Sequence, residues 1–271
     1  MKRAQIVGST LPVMQRPLAE ALAILRDAGF RKVELMARPP QFSLDPKLCD
    51  PDQVLATARN AGVEIANLSS YAGTGLFEDD PARFAPALAE IRLAVDIGAS
   101  YGCHCVRVLR HNSPLDHPGQ IPKLVPWLQR AAAYAAARGV YLGIENHRGG
   151  ALSRSPEACR ELAGKVGSPF FGVIYDPGNL FTLGTDYRSA FEIQKRHIVH
   201  VHLKDGLAGR PESMKTTMLG EGEIDIPWIL RQLDSIGYTG PVTLEYEMET
   251  PPPEVGLKRW FEIFSRWMDD R

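Results

Sequence analysis

The chain predicts an α/β fold, a single (β/α)8 TIM barrel spanning residues 1–271, and three observations carry that expectation. Short apolar runs alternate with amphipathic stretches along the whole chain, the pattern of parallel strands joined by right-handed crossovers. There are eight such runs, and a last amphipathic stretch follows that can cover the first. No linker or low-complexity break interrupts the 271 residues, a length within the range of one barrel. A doubly wound open sheet is the competing layout. It would usually carry a G-x-G-x-x-G turn after its first strand, and none follows residues 5–9.

The strands are expected at 5–9 (QIVGS), 32–36 (KVELM), 63–69 (VEIANLS), 104–109 (HCVRVL), 140–145 (VYLGIE), 171–176 (FGVIYD), 198–203 (IVHVHL) and 242–246 (VTLEY). Helical stretches are read at 16–29, 50–62, 81–98, 126–139, 155–167, 226–237 and 256–270. Glycines 29, 62, 98, 139, 167 and 237 stand where a helix C-cap needs a left-handed residue. Alternation sorts the strand faces. On the seventh run Val199, Val201 and Leu203 are assigned to the helix side, and His200, His202 and Lys204 to the inner face. Gly143, Glu145 and His147 share one face of the fifth strand, and Thr243, Glu245 and Glu247 one face of the eighth.

Composition narrows the function classes. With 44% hydrophobic and 23% charged residues and a net charge of −1, no basic footprint suits nucleic-acid phosphates. The start has no long apolar region of the secretory kind and no run long enough to span a bilayer, so neither membrane nor export is expected and a cytoplasmic setting is. Cys49, Cys103, Cys105 and Cys159 are too few and too irregular for a disulfide framework. The helical exterior leaves assembly into a homo-oligomer open.

Four of the strand-like runs end in a metal-ligating residue: Glu145, Asp176, His202 and Glu245, spaced 31, 26 and 43 positions apart. In parallel sheets the carboxyl ends of neighbouring strands converge on one crevice. Three carboxylates and one imidazole suit a hard or borderline divalent cation, with Mn²⁺ favoured and Mg²⁺, Co²⁺ or Zn²⁺ as the others. The triplet Cys103–His104–Cys105 does not make a zinc site, because adjacent strand residues point to opposite faces and cannot close on one ion.

Together with the barrel pattern, the segments GIENH (143–147), YDPGN (175–179), HVHLKD (200–205), LGEGEID (219–225) and GPVTLEYE (240–247) resemble the xylose-isomerase-like barrel superfamily. The branch they are most similar to is that of the sugar phosphate isomerases and epimerases related to apurinic-site endonucleases. The resemblance implies one divalent metal on Glu145, Asp176, His202 and Glu245, with Glu145 and Glu245 also acting as the acid/base pair. It implies proton transfer beside the carbonyl of a small sugar or sugar phosphate, through an enediolate that a metal stabilises. His147, Lys204, Asn67, Arg107 and Arg210 are candidates for the substrate, and His200 and Asn179 for places behind the ligands. For Arg107, inward on the fourth strand, Glu34 on the second is the expected partner, since an unpaired buried guanidinium is costly. Asp225 is a plausible cap before IPWIL, and the glycine-rich YAGTG (71–75) is read as a mobile loop over the mouth.

The sequence departs from its relatives at two places. Asn179 stands where metal-rich or epimerase relatives often carry histidine, and Ala208 where some carry arginine, with Arg210 close by. The same scaffold admits a lyase reading, a dehydratase of a keto-inositol or dehydroshikimate-like acid. A nuclease needing three metals is a remote reading, given Asn179 and the neutral charge. A non-enzymatic sugar-binding protein would not need four ligands.

Overall fold

Short β-branched and aliphatic runs, each followed by a capped amphipathic helix, set the element order. The computed structural model describes residues 1–109, 116–210 and 212–269. Its barrel strands are β1 (Ile6–Ser9), β2 (Lys32–Met36), β3 (Glu64–Ser69), β4 (Cys105–Arg107), β5 (Tyr141–Glu145), β6 (Phe171–Tyr175), β7 (Ile198–Leu203) and, after a hairpin of β8 (Gly206–Ala208) and β9 (Met214–Thr216), β10 (Val242–Leu244). The eight parallel strands close into a barrel in the order β1-β10-β7-β6-β5-β4-β3-β2. The expected (β/α)8 barrel is the fold of this chain.

The helices are α1 (Leu18–Asp27), α2 (Pro51–Ala61), α3 (Phe84–Tyr101), α4 (Ile121–Ala136), α5 (Ala151–Arg154), α6 (Pro156–Val166), α7 (Pro177–Thr182), α8 (Tyr187–Gln194), α9 (Ile226–Ser235) and α10 (Pro253–Asp269). Local chemistry starts and stops them. Asp50 accepts the Asp52 N–H at the start of α2, with Pro51 in the first turn, and Gly62 ends it at φ 73°. Asp225 accepts the Trp228 N–H and caps α9, as its position before IPWIL suggested. The closing helix was expected to reach Asp270, which lies outside the described residues; α10 ends at Asp269.

Two compact halves make up the chain, Met1–Ala66 with Val201–Arg271, and Asn67–His200. In the first, β1 pairs with β2 and β10, and β10 with the end of β7 in the register Thr243↔His202. Its core gathers Leu22, Leu25, Phe30, Leu257, Trp260 and Phe264, all fully buried, and Phe30 meets Phe261 edge-on at 5.0 Å. In the second half β3 to β6 pair in sequence, with Arg107 opposite Gly143 and Glu145 opposite Ile174. Ile91, Val95, Leu124, Leu128 and Leu162 fill its helix layer.

Four departures from the expected elements have physical causes. Gly98 is not the cap of α3; the helix runs on to Tyr101 and Gly102 ends it at φ 79°. A Cβ at position 98 would come 2.7 Å from Val106 Cγ2, so this glycine serves close helix–strand approach. The stretch 177–197 had no assigned helix and holds α7 and α8, too short to show a clear period. Residues 71–75 do not form an open flap: Ala72, Gly75, Leu76 and Phe77 are buried, and a Cβ on Gly73 would come 2.6 Å from Ile91 of α3. Val199, assigned to the helix side, packs with Cys105 and Ile174, and Gly172 lacks the Cβ that would come 2.6 Å from Val199 Cγ1. Cys103 and Cys105 are buried and free, in keeping with core packing.

Candidate metal centre

The half formed by Asn67–His200 presents two carboxylates at strand ends. Glu145 closes β5, and Asp176 follows β6 as the N-cap of α7, its Oδ1 accepting the Asn179 N–H at 2.9 Å. Arg107 donates from Nη1 to Glu145 Oε2 at 2.7 Å, with both side chains buried. Glu145 takes this Arg107 N–H, while Glu34, the partner expected for Arg107, belongs to the other half. The arginine also lies under the Tyr71 ring, 5.7 Å from its centroid.

The other half presents a histidine and a glutamate. His202 Nδ1 lies 3.2 Å from Glu245 Oε1, and its Nε2 faces Glu34 Oε1 at 2.9 Å. Lys204 Nζ donates to Glu245 Oε2 and to Glu247 Oε1, each at 2.8 Å. Thr243 Oγ1 donates to Glu34 Oε2 at 2.7 Å. Each terminal glutamate, Glu145 and Glu245, therefore has its Oε2 held by a buried cation.

Glu145 and Asp176 are buried at strand ends of one half, and His202 and Glu245 are buried at strand ends of the other. Three carboxylates and a histidine are a donor set that can bind a metal. Buried charge is predominantly negative in each half: Glu34, Glu245 and Asp205 with Lys204 in one, and Glu145, Asp176 and Asp116 with Arg107 in the other.

The remaining candidates scatter. Asn67 is buried and its Oδ1 takes the Cys105 N–H at 3.2 Å, which ties β3 to β4. His147 is partly buried, and its Nδ1 takes the Gly149 N–H at 3.0 Å, ordering the turn after β5. His200 is buried near the end of the Asn67–His200 half. Asn179 donates to the Asn146 carbonyl at 3.0 Å. Arg210 stands exposed in the turn of the β8–β9 hairpin, where its carbonyl accepts from Ser213.

Two loop anchors escaped the sequence reading because their partners lie far along the chain. Asp205 takes backbone N–H groups from Gly206, Gly220, Gly222 and Ile224, clamping the 219–225 loop, and burial raises its pKa against those bonds. A Cβ on Gly222 would sit 2.0 Å from Asp205 Oδ1, which explains the second glycine of LGEGEID. Asp116 holds the loop after β5 through the Leu152 N–H at 3.1 Å and the Ser153 hydroxyl at 2.7 Å. No local signal marked it.

A closed parallel (β/α)8 barrel with three buried carboxylates and one histidine at its strand ends is the class of protein that fold and residues define. Residues 22–266 match the model of the xylose isomerase-like TIM barrel family, and the chain belongs to that family. Among curated relatives, a protein designated MJ1311 of Methanocaldococcus jannaschii is 29% identical over 169 residues, or 55% of this chain, and the match spans only 56% of that protein. The L-ribulose-5-phosphate 3-epimerase UlaE of Escherichia coli is 25% identical over 250 residues, 89% of this chain and 87% of the relative. Three solved structures share the fold. An L-ribulose 3-epimerase superposes with a TM-score of 0.80 at 18% identity, over 100% of this chain and 95% of that one. A xylose isomerase-like barrel of Mycobacterium smegmatis in complex with magnesium gives 0.78 at 15%, over 99% of each chain. The probable 3-DHS dehydratase AsbF of Bacillus anthracis gives 0.74 at 16%, over 98% and 99%. Among the described residues no helix is long and apolar enough to cross a membrane.

Proposed function

We propose that this protein is a divalent-metal-dependent isomerase or epimerase of a small sugar or sugar phosphate. The observation that carries the reading is the set of four buried ligand-type residues, Glu145, Asp176, His202 and Glu245, each at the carboxyl end of its own barrel strand. The names of the epimerase relatives support it. One Mn²⁺, or Mg²⁺, Co²⁺ or Zn²⁺, held by these four residues would act as a Lewis acid on the carbonyl and adjoining hydroxyl oxygens of the sugar.

The protein's own groups do the proton work. Glu145 and Glu245 stand on strands far apart in the barrel order, so they are suited to opposite faces of a bound sugar. One carboxylate removes the proton from the carbon beside the carbonyl, and the other, or the same one, returns a proton. Arg107 and Lys204 fix one oxygen of each glutamate, so the reacting oxygen keeps a single orientation. Asn67 and His147 are assigned to substrate hydroxyls, and Asn179 and His200 to support of the ligands. Arg210 is assigned to the outer end of the substrate.

The test is solvent deuterium exchange. Chelated protein reloaded with Mn²⁺ is incubated in D₂O with a panel of ketoses, ketose phosphates and keto-inositols. Deuterium at the carbon beside the carbonyl, with about one ion per chain by elemental analysis, is the expected result. Loss of water from a substrate would move the assignment to the dehydratase reading. Failure to take up Mn²⁺, Mg²⁺, Co²⁺ or Zn²⁺ would end it.

A further inference from the structure

We propose that Glu34 is a positioning residue for the metal centre: it holds the Nε2–H of His202 and thereby turns Nδ1 of that ring toward the ligand cluster. The inference deepens the metal-dependent reading above and rests on it. Its basis is a chain of three side chains within one half of the molecule. Glu34 Oε1 lies 2.9 Å from His202 Nε2, and Glu34 Oε2 accepts the Thr243 hydroxyl at 2.7 Å. All three residues are buried. A carboxylate oxygen is an acceptor, and in this proposal the hydrogen of the 2.9 Å contact lies on Nε2.

That assignment settles what the other ring nitrogen can do. Nδ1 faces Glu245 Oε1 at 3.2 Å, on the side of the ligand cluster. With Nε2 committed to Glu34, the imidazole can be rotated neither to present Nε2 to an ion nor to swing out of the cluster without breaking a buried charged contact. Metal-binding histidines commonly give their second N–H to a carboxylate, which fixes the ring and makes the ligating nitrogen more basic. Backbone register contributes: Glu34 stands opposite Ser9 on β1, and Thr243 stands opposite Val7 on the same strand and opposite His202 on β7. Thr243 holds the carboxylate, the carboxylate holds the ring, and the ring presents its nitrogen.

The experiment is Mn²⁺ titration of the full chain, read by the free-ion EPR signal, on wild type, Glu34→Gln and Thr243→Val. Glu34→Gln is expected to raise the Mn²⁺ Kd by about 10- to 100-fold, and Thr243→Val by a smaller factor in the same direction. A purely structural role would lower the melting temperature and leave the Kd of the folded protein unchanged. The second readout needs no variant. In ¹⁵N-labelled, metal-free wild type, the His202 Nε2–H proton should resonate downfield and exchange slowly, and Mn²⁺ should broaden it. Two results would overturn the proposal: a Glu34→Gln Kd within twofold of wild type, or no protected Nε2–H in wild type. Should Glu34→Gln fail to fold, Thr243→Val and the wild-type proton decide. If wild type itself takes up no Mn²⁺, the metal reading fails, while the protected proton still reports whether Glu34 holds the ring.

Discussion

At the scale of single residues, the two terminal glutamates combine two demands, and each has a neighbouring cation that answers one of them. Arg107 on Glu145 and Lys204 on Glu245 hold Oε2 at 2.7 and 2.8 Å. Replacing Glu145 or Glu245 by Gln keeps the volume and one acceptor but removes the base. Turnover is expected to fall by about 10²- to 10⁴-fold in each case, the range that general acid–base groups supply. Deuterium exchange into the recovered substrate checks this, and an active Glu145→Gln protein would remove that glutamate from the acid/base pair. Arg107→Gln tests the other demand. It leaves Glu145 buried without its cation, which should cost about 3 kcal/mol in chemical denaturation. An unchanged denaturation midpoint would mean that Glu145 is held by other groups.

At the scale of elements, the join of α3 to β4 shows two effects of opposite sign. Gly98 inside α3 lowers helix propensity, and alanine there would regain about 1 kcal/mol. The added Cβ would lie 2.7 Å from Val106 Cγ2, and overpacking of that kind costs about 1–3 kcal/mol. Packing wins, so Gly98→Ala is expected to lower stability by about 1 kcal/mol; a gain in melting temperature would refute this. At the start of β4, burial holds the His104 pKa down to about 4, offset in part by its bond to the Val199 carbonyl at 2.9 Å. The sign follows from linkage. The unfolded imidazole takes a proton near pH 6.5 and the folded one resists it, so stability present above pH 6.5 is lost as pH falls toward 4. The loss attributable to this ring is about 3 kcal/mol. Denaturation of wild type and His104→Phe at pH 7 and pH 4.5 should show the steeper fall in wild type, and equal slopes would refute it.

At the scale of the whole molecule, a metal bound only by the folded chain adds to its stability by mass action. At Mn²⁺ one hundred times its Kd, the gain is about 2.7 kcal/mol. Chelator is therefore expected to lower the melting temperature, and restored Mn²⁺ to raise it again in a concentration-dependent way. A melting temperature indifferent to both would count against metal binding by the cluster. The four proposed ligands stand on or directly after β5, β6, β7 and β10.

Much of this was written locally. Period-2 alternation placed Glu145, His202 and Glu245 on one kind of face, and apolar runs ending in polar residues marked the carboxyl ends where they gather. Helix starts were equally legible at Asp50 and Asp225, because a cap is a contact over two or three residues. The barrel followed from the count and alternation of those units. What only the tertiary structure decided is which charge meets which. Arg107 chose Glu145, Lys204 bridged Glu245 and Glu247, and Glu34 went to His202 and Thr243. Asp205 and Asp116 found backbone donors from 15 to 36 residues away. Alternation tells which face a side chain is on, a property of the strand itself. Pairing depends on strand order, register and tilt, which exist only once the sheet has closed.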